Sequence, residues 1–543
     1  MAHPENQVDD DDVASTSEIE ISPFQVSREL SASLLTRCRS LLAEISEFQA
    51  LLVETQRNPQ IVEVRSLKSN VLSELRTLEK LGAQVQKLPE PTKGDGDGED
   101  NNNNNTDAGA TDGDDSAARR LVHTLKSSNL PFYEAVWAIA KNTCRGLVAF
   151  GKRFYWGDDN GDNGISEKKS GRDKKKSVFV DIIADDGEEW VKVSTVAESR
   201  LLFEMAEKGW EADSDSEDGE ARTVLRNHDG DNGDVEDDED EDEIELVKLA
   251  KDLRTAANAT RVRYRHPRLR FVAPRIREGS CAEIDDLLKI IRSYGIKVDC
   301  GEKAYAVTGT QEGLSHLLPK PFKHFTSTVN VDCTLMLAAV SDLSHYKHIT
   351  QSPQHHKAIN RQIAVEHERP LLPTELWPAM DAYELVCVEE AATRMKEIVN
   401  IIGTDTERSR MEILLGEPPY DTYSREDLIK KYQELSDYEI PAHWKIPVKT
   451  VEAKSVIASA RDTAKLPPVY QKVAENLSDI NYSVFLYGWA AGLATISSNR
   501  TVVKEIESII EKHRDGDDSL EGPLIWVCDT ARSLIGKEKN RKN

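Results

Sequence analysis

The sequence predicts an α/β protein with a helical hairpin, a small α/β unit and a larger C-terminal α/β domain. Apolar residues recur every three or four positions in residues 22–90, which is typical of amphipathic helices. From about residue 325, short apolar runs with strand character alternate with helical sequence, which indicates parallel strands joined by crossover helices. A chain of 543 residues is long enough for two or three such domains.

Changes in composition and periodicity divide the chain into successive parts. The predicted parts are an acidic disordered tail (1–21), a helical hairpin (22–90), a disordered linker (91–115), a helical segment (116–156), a middle α/β unit (177–210 and 246–310) interrupted by an acidic disordered insert (211–245), and a C-terminal domain (325–535). The tail, linker and insert contain too few apolar residues to offset the chain entropy that folding would cost.

The net charge of −26 is distributed unevenly along the chain. Most of the acidity lies in residues 1–20, 94–115 and 211–245, so the rest is close to neutral and a nucleic-acid partner is not excluded. No apolar run approaches the roughly 18 residues that span a bilayer, and the first residues lack the features of a secretory signal. Seven scattered cysteines without a CxxC pair favour a reducing compartment. We therefore expect no membrane partner and an intracellular location, cytoplasmic, nuclear or both.

Two amphipathic helices are predicted in the N-terminal part. Residues 24–55 carry an apolar stripe that includes Leu34 and Phe48, and a second stripe that includes Val71 follows a break at Pro59. Packing of the two helices against each other explains both stripes. A protein partner bound by the hairpin is the alternative.

The middle of the chain alternates between helical and strand-like patterns. Residues 132–150 are predicted to be helical, whereas 178–183 and 190–193 are predicted to form a strand hairpin. A further strand is predicted at 261–271, where Arg261, Arg263 and Arg265 would share one face. Such a row of guanidinium groups suits the phosphate backbone of RNA, although a solvated strand face has the same pattern.

The C-terminal domain places acidic residues at the ends of predicted strands. Strands are predicted at 327–332, 383–388, 481–487 and 524–527. Asp332 ends the first of these and Glu389 follows the second, so both carboxylates are expected at the ligand-binding edge of a parallel sheet. Two carboxylates there are the minimum for a Mg²⁺ or Mn²⁺ site that activates water. Both acids could instead only stabilise the starts of the helices that follow.

A histidine-rich stretch is a weaker candidate for a metal site. His345, His348, His355 and His356 lie close together in the sequence, and imidazole groups at such spacing can bind zinc. A solvated loop that binds no metal is the alternative.

In the order of these motifs, the sequence resembles a eukaryotic family of uncharacterised proteins that share a conserved domain of unknown function. The C-terminal half of that family is similar to PIN-type nucleases. The segments that carry the resemblance are 329–334, 389–403 and 495–499 in the C-terminal half, and 180–184, 190–193, 264–271 and 295–298 in the middle. The resemblance implies a C-terminal three-layer α/β/α sandwich around a parallel sheet.

The resemblance also implies a site. Active PIN-type nucleases cut single-stranded RNA with three or four acids around a divalent metal, and Asp332 and Glu389 would be the first two of these acids. The third is expected near Trp489, where this chain has no acid, and Asn499 would supply only a neutral oxygen or a phosphate contact.

Two functions follow from this departure. The favoured one is a non-catalytic protein that binds RNA or another protein through a degenerate site. The alternative is an active Mg²⁺- or Mn²⁺-dependent endoribonuclease, with Asp462, Asp479 or Asp529 as the missing ligand.

Overall fold

The computed structural model describes residues 22–56, 62–88, 110–156, 176–209, 243–305, 314–353, 355–528 and 531–536. The predicted acidic tail, most of the predicted linker and most of the acidic insert lie outside these ranges. Within them the protein is a mixed α/β structure with two five-stranded sheets. In the described part of the chain, no helix has the length and apolar character needed to cross a membrane.

Four helices form the N-terminal part. They are α1 (Pro23–Thr55), α2 (Arg65–Gln86), α3 (Ala110–Lys126) and α4 (Leu130–Thr143). Helix α1 is capped by Ser22, whose side chain accepts a hydrogen bond from the N–H of Gln25. Its predicted apolar stripe is confirmed and is buried against the other three helices. A partner of the hairpin would therefore have to contact the outer, polar faces of these helices.

Two predicted boundaries in this part are wrong. Helix α3 begins at Ala110, inside the predicted linker 91–115, since extending a helix that has already nucleated costs little per residue. The predicted helical segment 116–156 ends as a strand, β1 (Ala149–Trp156). The chain leaves α4 at Cys144, and pairing of β1 with the neighbouring strand outweighs the local helical pattern.

The middle unit contains a mixed sheet whose strands follow their order in the sequence. They are β1, β2 (Lys176–Ala184), β3 (Glu189–Val193), β4 (Arg268–Ala273) and β5 (Ile296–Cys300). The first three strands pair antiparallel, which confirms the predicted hairpin, and the last three pair parallel. Helices α5 (Glu198–Glu207), α6 (Glu245–Asn258) and α7 (Ala282–Ser293) cover one face, and the N-terminal helices cover part of the other.

The C-terminal part alternates strands with helices, as predicted. Its elements are β6 (Thr328–Val331), α8 (Cys333–Val340), α9 (Asp342–His345), α10 (Lys357–Glu368), α11 (Trp377–Met380), β7 (Glu384–Val388), α12 (Glu389–Ile402), α13 (Asp405–Leu415), α14 (Arg425–Gln433), β8 (Lys449–Val451), α15 (Ala453–Asp462), α16 (Tyr470–Asn476), α17 (Asp479–Ala491), β9 (Ala494–Ser497), α18 (Arg500–Lys512) and β10 (Ile525–Val527).

The strands of this second sheet are all parallel, in the order β10-β9-β6-β7-β8. The chain therefore moves outward from β6 in one direction through β7 and β8. It then returns to the other side of β6 through β9 and β10. The junction of β6 and β9 is a topological switch point, where open parallel sheets present a crevice at the carboxyl ends of their strands.

One predicted strand of this domain is wrong. Residues 481–487 lie in helix α17, and the strand is β9, in residues predicted to form a turn. A short apolar run does not distinguish a buried strand from a buried helix, and α17 is buried almost all round from Ser483 to Gly488.

Helix α17 lies very close to β9, and Gly488 makes this approach feasible. A Cβ atom at residue 488 would lie 2.0 Å from the Thr495 hydroxyl oxygen. That hydroxyl in turn accepts a hydrogen bond from the Asn330 amide in β6 at 3.1 Å. The contact therefore joins α17 to the two central strands.

Gly488→Ala should lower the free energy of unfolding by about 1–3 kcal/mol, because the added methyl group overpacks this contact. Urea denaturation of the full-length protein would measure the change. In a double-mutant cycle with Thr495→Ala, the two losses should be clearly less than additive, since the second substitution removes the atom that clashes. Fully additive losses would contradict this account.

Candidate functional site

The candidate site lies at the switch point, around the carboxyl ends of β6 and β9. Asp332 directly follows β6, occupies the N-cap position of α8 and is 3% exposed. Its backbone N–H donates to the carbonyl of Ile496 at 3.0 Å, which extends the β6–β9 pairing to the edge of the sheet. The structure thus places Asp332 where the sequence predicted it.

Neutral hydroxyl groups surround the Asp332 carboxylate. Its Oδ2 accepts hydrogen bonds from the hydroxyls of Ser497 at 2.6 Å and of Thr334 at 2.7 Å. Each hydroxyl is itself held, because Asn499 N–H donates to Ser497 Oγ and Ser498 N–H donates to Thr334 Oγ1. The carboxylate is therefore tied to the turn between β9 and α18 without a cationic partner among these contacts.

This environment alters the acidity of the carboxyl group. Burial raises the pKa of Asp332, because it disfavours the charged form, and the hydrogen bonds from Ser497 and Thr334 partly oppose that rise. A buried acid with a raised pKa at a strand end is typical of a functional site, although structural acids also show such shifts.

Glu389 is the first residue of α12, at the carboxyl end of β7 beside β6, and it is exposed. An acid at this position favours the helix through the helix dipole. The next residue, Glu390, turns its carboxylate inward. Its Oε2 is buried and has no hydrogen-bond partner among the described residues. Sequence reasoning missed Glu390 because nothing in the pattern Glu389-Glu390 shows which side chain turns inward.

None of the candidates within the described residues supplies the third acid of a metal site. Asp462 is exposed and pairs with Arg461, and Asp479 is exposed at the start of α17. Asp529 lies outside the described residues. In the described ranges, no group of three or more His, Cys, Asp or Glu side chains is arranged to hold a metal ion.

Ser497 occupies the position at the end of β9 that lies beside Asp332. Sequence reasoning sought the third acid near Trp489, because it assigned the strand one element too early. Trp489 lies in helix α17 instead. The signal that could have located Ser497 is the run Ala-Thr-Ile-Ser, in which small and β-branched residues lead into a helix start.

Three other residues that the sequence suggested as ligands have structural contacts. Asn499 caps α18, and its Oδ1 accepts a hydrogen bond from Val502 N–H at 3.4 Å. His345 is fully buried, with Nε2 2.6 Å from the carbonyl oxygen of Ala339. His356 caps α10.

The three candidate RNA-binding arginines do not lie on a strand. Strand β4 begins only at Arg268, and residues 261–265 form a tight turn closed by a bridge between Val262 and Arg265. Arg263 and Tyr264 have φ angles of 49° and 68°, a conformation that turns the chain back on itself. The predicted strand at 261–271 is therefore wrong over its first half, because tertiary contacts of this turn outweigh the alternating pattern.

We call this turn, residues 261–265, the arginine turn. It connects the middle unit to the C-terminal domain. Arg261 donates to the carbonyl of Leu520 at 2.7 Å and lies 3.3 Å from a Glu511 carboxylate oxygen.

The other two arginines of the turn also face acids. Arg265 donates to the Glu521 carboxylate at 2.8 Å. Arg263 lies 3.6 Å from an oxygen of Asp186 and 3.7 Å from one of Glu188. All three guanidinium groups thus face carboxylates, and RNA binding by them stays a prediction.

The fold and this site define an α/β protein with a buried carboxylate, that of Asp332, at the switch point of a parallel sheet. Residues 329–419, from β6 to just beyond α13, match a family model described as a protein of unknown function (DUF1308). The matched segment contains Asp332 and Glu389 but not Ser497, Asn499 or the arginine turn. No curated protein matches the sequence, and no solved structure matches it.

Asp332→Asn should stabilise the protein relative to the wild type increasingly as the pH rises. The raised pKa of Asp332 means that the folded state holds this proton more tightly than the unfolded chain. The stability gained from that proton is complete below the unfolded pKa, near 3.9, and is lost as the pH rises through the folded pKa.

Urea denaturation of both proteins across this pH range would measure the difference. Asp462→Asn, which removes a carboxylate from an exposed ion pair, is the matched control. If the wild type instead became more stable relative to Asp332→Asn as the pH rises, the pKa of Asp332 would not be raised in the folded state.

Arg261→Gln should lower the free energy of unfolding by about 1.5–3 kcal/mol, because hydrogen bonds of a buried charged group are lost. Arg265→Gln should cost less than about 1 kcal/mol, since the Arg265–Glu521 pair is exposed and screened by solvent. Urea denaturation of the two variants tests whether Arg261 anchors the turn. Equal losses would show that it does not.

Proposed function

We propose that the C-terminal domain is a PIN-like domain with a degenerate nuclease site, and that the protein binds single-stranded RNA without cleaving it. Support comes from the parallel sheet, its strand order and the position of Asp332 at the switch point. In this proposal helices on both faces of the sheet complete a three-layer sandwich.

The main observation in favour of a non-catalytic site is the hydrogen bond that the Ser497 hydroxyl donates to Asp332. The Ser497 hydroxyl lies at the end of β9, beside Asp332, where the third acid of an active site would be expected. Mg²⁺ and Mn²⁺ require several oxygen ligands with enough negative charge to replace their hydration shell. Asp332 and the two side chains that bond to it supply one carboxylate and two neutral hydroxyls, so this set does not fit a catalytic metal.

RNA suits this edge of the sheet better than a metal does. Helices α8 and α18 both begin there, and the dipole of a helix favours phosphate groups near its N-terminus. Thr334, Ser498 and Asn499 are partly exposed and add polar side chains around these two helix starts. Backbone phosphates of an RNA strand are therefore the chemistry that the edge can accept.

An active Mg²⁺- or Mn²⁺-dependent endoribonuclease is the second candidate. The observation that favours it is the position of Asp332 and Glu389 at the carboxyl ends of the adjacent strands β6 and β7. Binding of a protein in place of RNA is a third outcome that the test below separates from these two.

The test uses the full-length protein and a fluorescently labelled single-stranded RNA. Binding is measured by fluorescence anisotropy in EDTA, and cleavage is measured on gels with added Mn²⁺ or Mg²⁺. We expect binding in EDTA, no cleavage with either metal, and the same behaviour from Asp332→Asn and the control Asp462→Asn.

Other results would contradict the proposal in distinguishable ways. Metal-dependent cleavage that is lost in Asp332→Asn but kept in Asp462→Asn would establish the nuclease. A folded wild-type protein that binds no RNA would remove the RNA partner and leave protein binding.

A further inference from the structure

One face of the β1–β2 hairpin presents aromatic and basic side chains to solvent. Arg153 in β1 pairs directly with Phe179 in β2, and Tyr155 pairs with Ser177. Directly paired residues point to the same side of an antiparallel sheet. Lys192 of β3 also reaches this side, since its Nζ lies 5.5 Å from the centre of the Phe179 ring. We call these five residues the hairpin face.

The two aromatic rings of the hairpin face are unusually accessible. Tyr155 is 61% exposed and Phe179 is 39% exposed, whereas the other aromatic side chains of this sheet are buried or partly buried. On the opposite side of the hairpin, Phe154 stacks on Trp190 with ring centres 3.7 Å apart. The hairpin is therefore anchored through one side while the other side stays open.

Neighbouring groups fix the Phe179 ring in place. Arg153 lies against it, with Cζ 5.9 Å from the ring centre, and also donates to Ser177 Oγ at 3.3 Å. Gly151, with φ of 66°, leaves room for the ring, because a Cβ there would lie 2.9 Å from Phe179 Cζ. A ring held in this way loses little conformational entropy when it binds a ligand.

The charge of the hairpin face is positive. Among the described residues, no acid lies within ion-pair distance of Arg153. Asp181, buried next to the face, is compensated by Lys192 at 3.2 Å. Glu63 at the edge accepts hydrogen bonds from the N–H groups of Arg65 and Ser66. Arg153 is thus left available for an anionic ligand.

We propose that the hairpin face is a stacking platform for single-stranded RNA. This inference rests on the RNA binding proposed above and adds a second contact surface to the switch-point edge. Bases would stack on Tyr155 and Phe179, and Arg153 would contact the phosphate backbone. Exposed aromatic rings beside basic groups are how sheet surfaces bind single strands without reading their sequence. An acidic peptide would use the cation but would leave the two rings without a function.

The platform is tested with fluorescence anisotropy on the full-length protein and a labelled oligouridine. Tyr155→Ala should weaken binding about 5- to 150-fold, the range expected for the loss of one stacked base. Tyr155→Phe keeps the ring and should bind like the wild type. Phe203→Ala removes a ring that is 70% exposed on α5, outside the platform, and should have no effect.

Arg153→Gln supplies a second, independent measurement. The slope of the logarithm of affinity against the logarithm of salt concentration should fall by about 1, because one phosphate contact is lost. A salt slope equal to that of the wild type would overturn this contact. Arg153 and Tyr155 are both exposed, so the variants Arg153→Gln and Tyr155→Ala are expected to fold.

The outcomes separate this inference from the proposed function. Wild-type binding of RNA with unchanged affinity in Tyr155→Ala would overturn the platform and leave RNA binding at another surface. No binding of RNA by the wild type would overturn both. Binding of a polyglutamate peptide but not of RNA, weakened by Arg153→Gln, would replace the RNA with an acidic protein partner.

Discussion

Buried polar side chains on the central strand β6 constrain the C-terminal domain. Asn330 donates to the Thr495 hydroxyl at 3.1 Å, and Asp332 accepts from the Ser497 hydroxyl at 2.6 Å. Thr495 lies within β9 and Ser497 ends it, so these two hydrogen bonds form when β9 lies beside β6 in the observed register. A shift of one residue would leave buried polar groups unpaired, which costs about 1–3 kcal/mol for each group. The same pairing creates the switch point, and the candidate site with it.

Two other buried acids of this domain are neutralised by arginine, unlike Asp332. Asp342 accepts from Arg410 at 2.6 Å, and Glu366 accepts from Arg532 at 2.6 Å, with all four side chains nearly inaccessible. Such pairs offset the cost of burying two charges and fix the packing of the surrounding helices. The hydrogen bonds of Asp332 come from hydroxyls instead. Asp332 therefore lacks the arginine that offsets the cost of burying Asp342 and Glu366.

Charge compensation also separates the two basic surfaces of the middle unit. The arginine turn faces Glu511, Glu521 and the pair Asp186 and Glu188, so carboxylates of the protein itself neutralise its positive charge. On the hairpin face, Lys192 pairs with Asp181, whereas Arg153 has no acid within ion-pair distance among the described residues and lies beside two exposed rings. Because an RNA backbone must compete with any acid already paired with a cation, the open surface is the better candidate for binding.

The sequence alone determined the local features of this protein. The spacing of apolar residues predicted α1, the alternation at 178–193 predicted the β2–β3 hairpin, and the acid after an apolar run predicted the position of Asp332. Tertiary structure decided what depends on distant partners. Burial on all sides made 481–487 a helix, β9 brought Ser497 to Asp332, and contacts with residues 511–521 folded Arg261, Arg263 and Arg265 into a turn. A local pattern reports which side of an element is buried, but not which residue from elsewhere in the chain will lie against it.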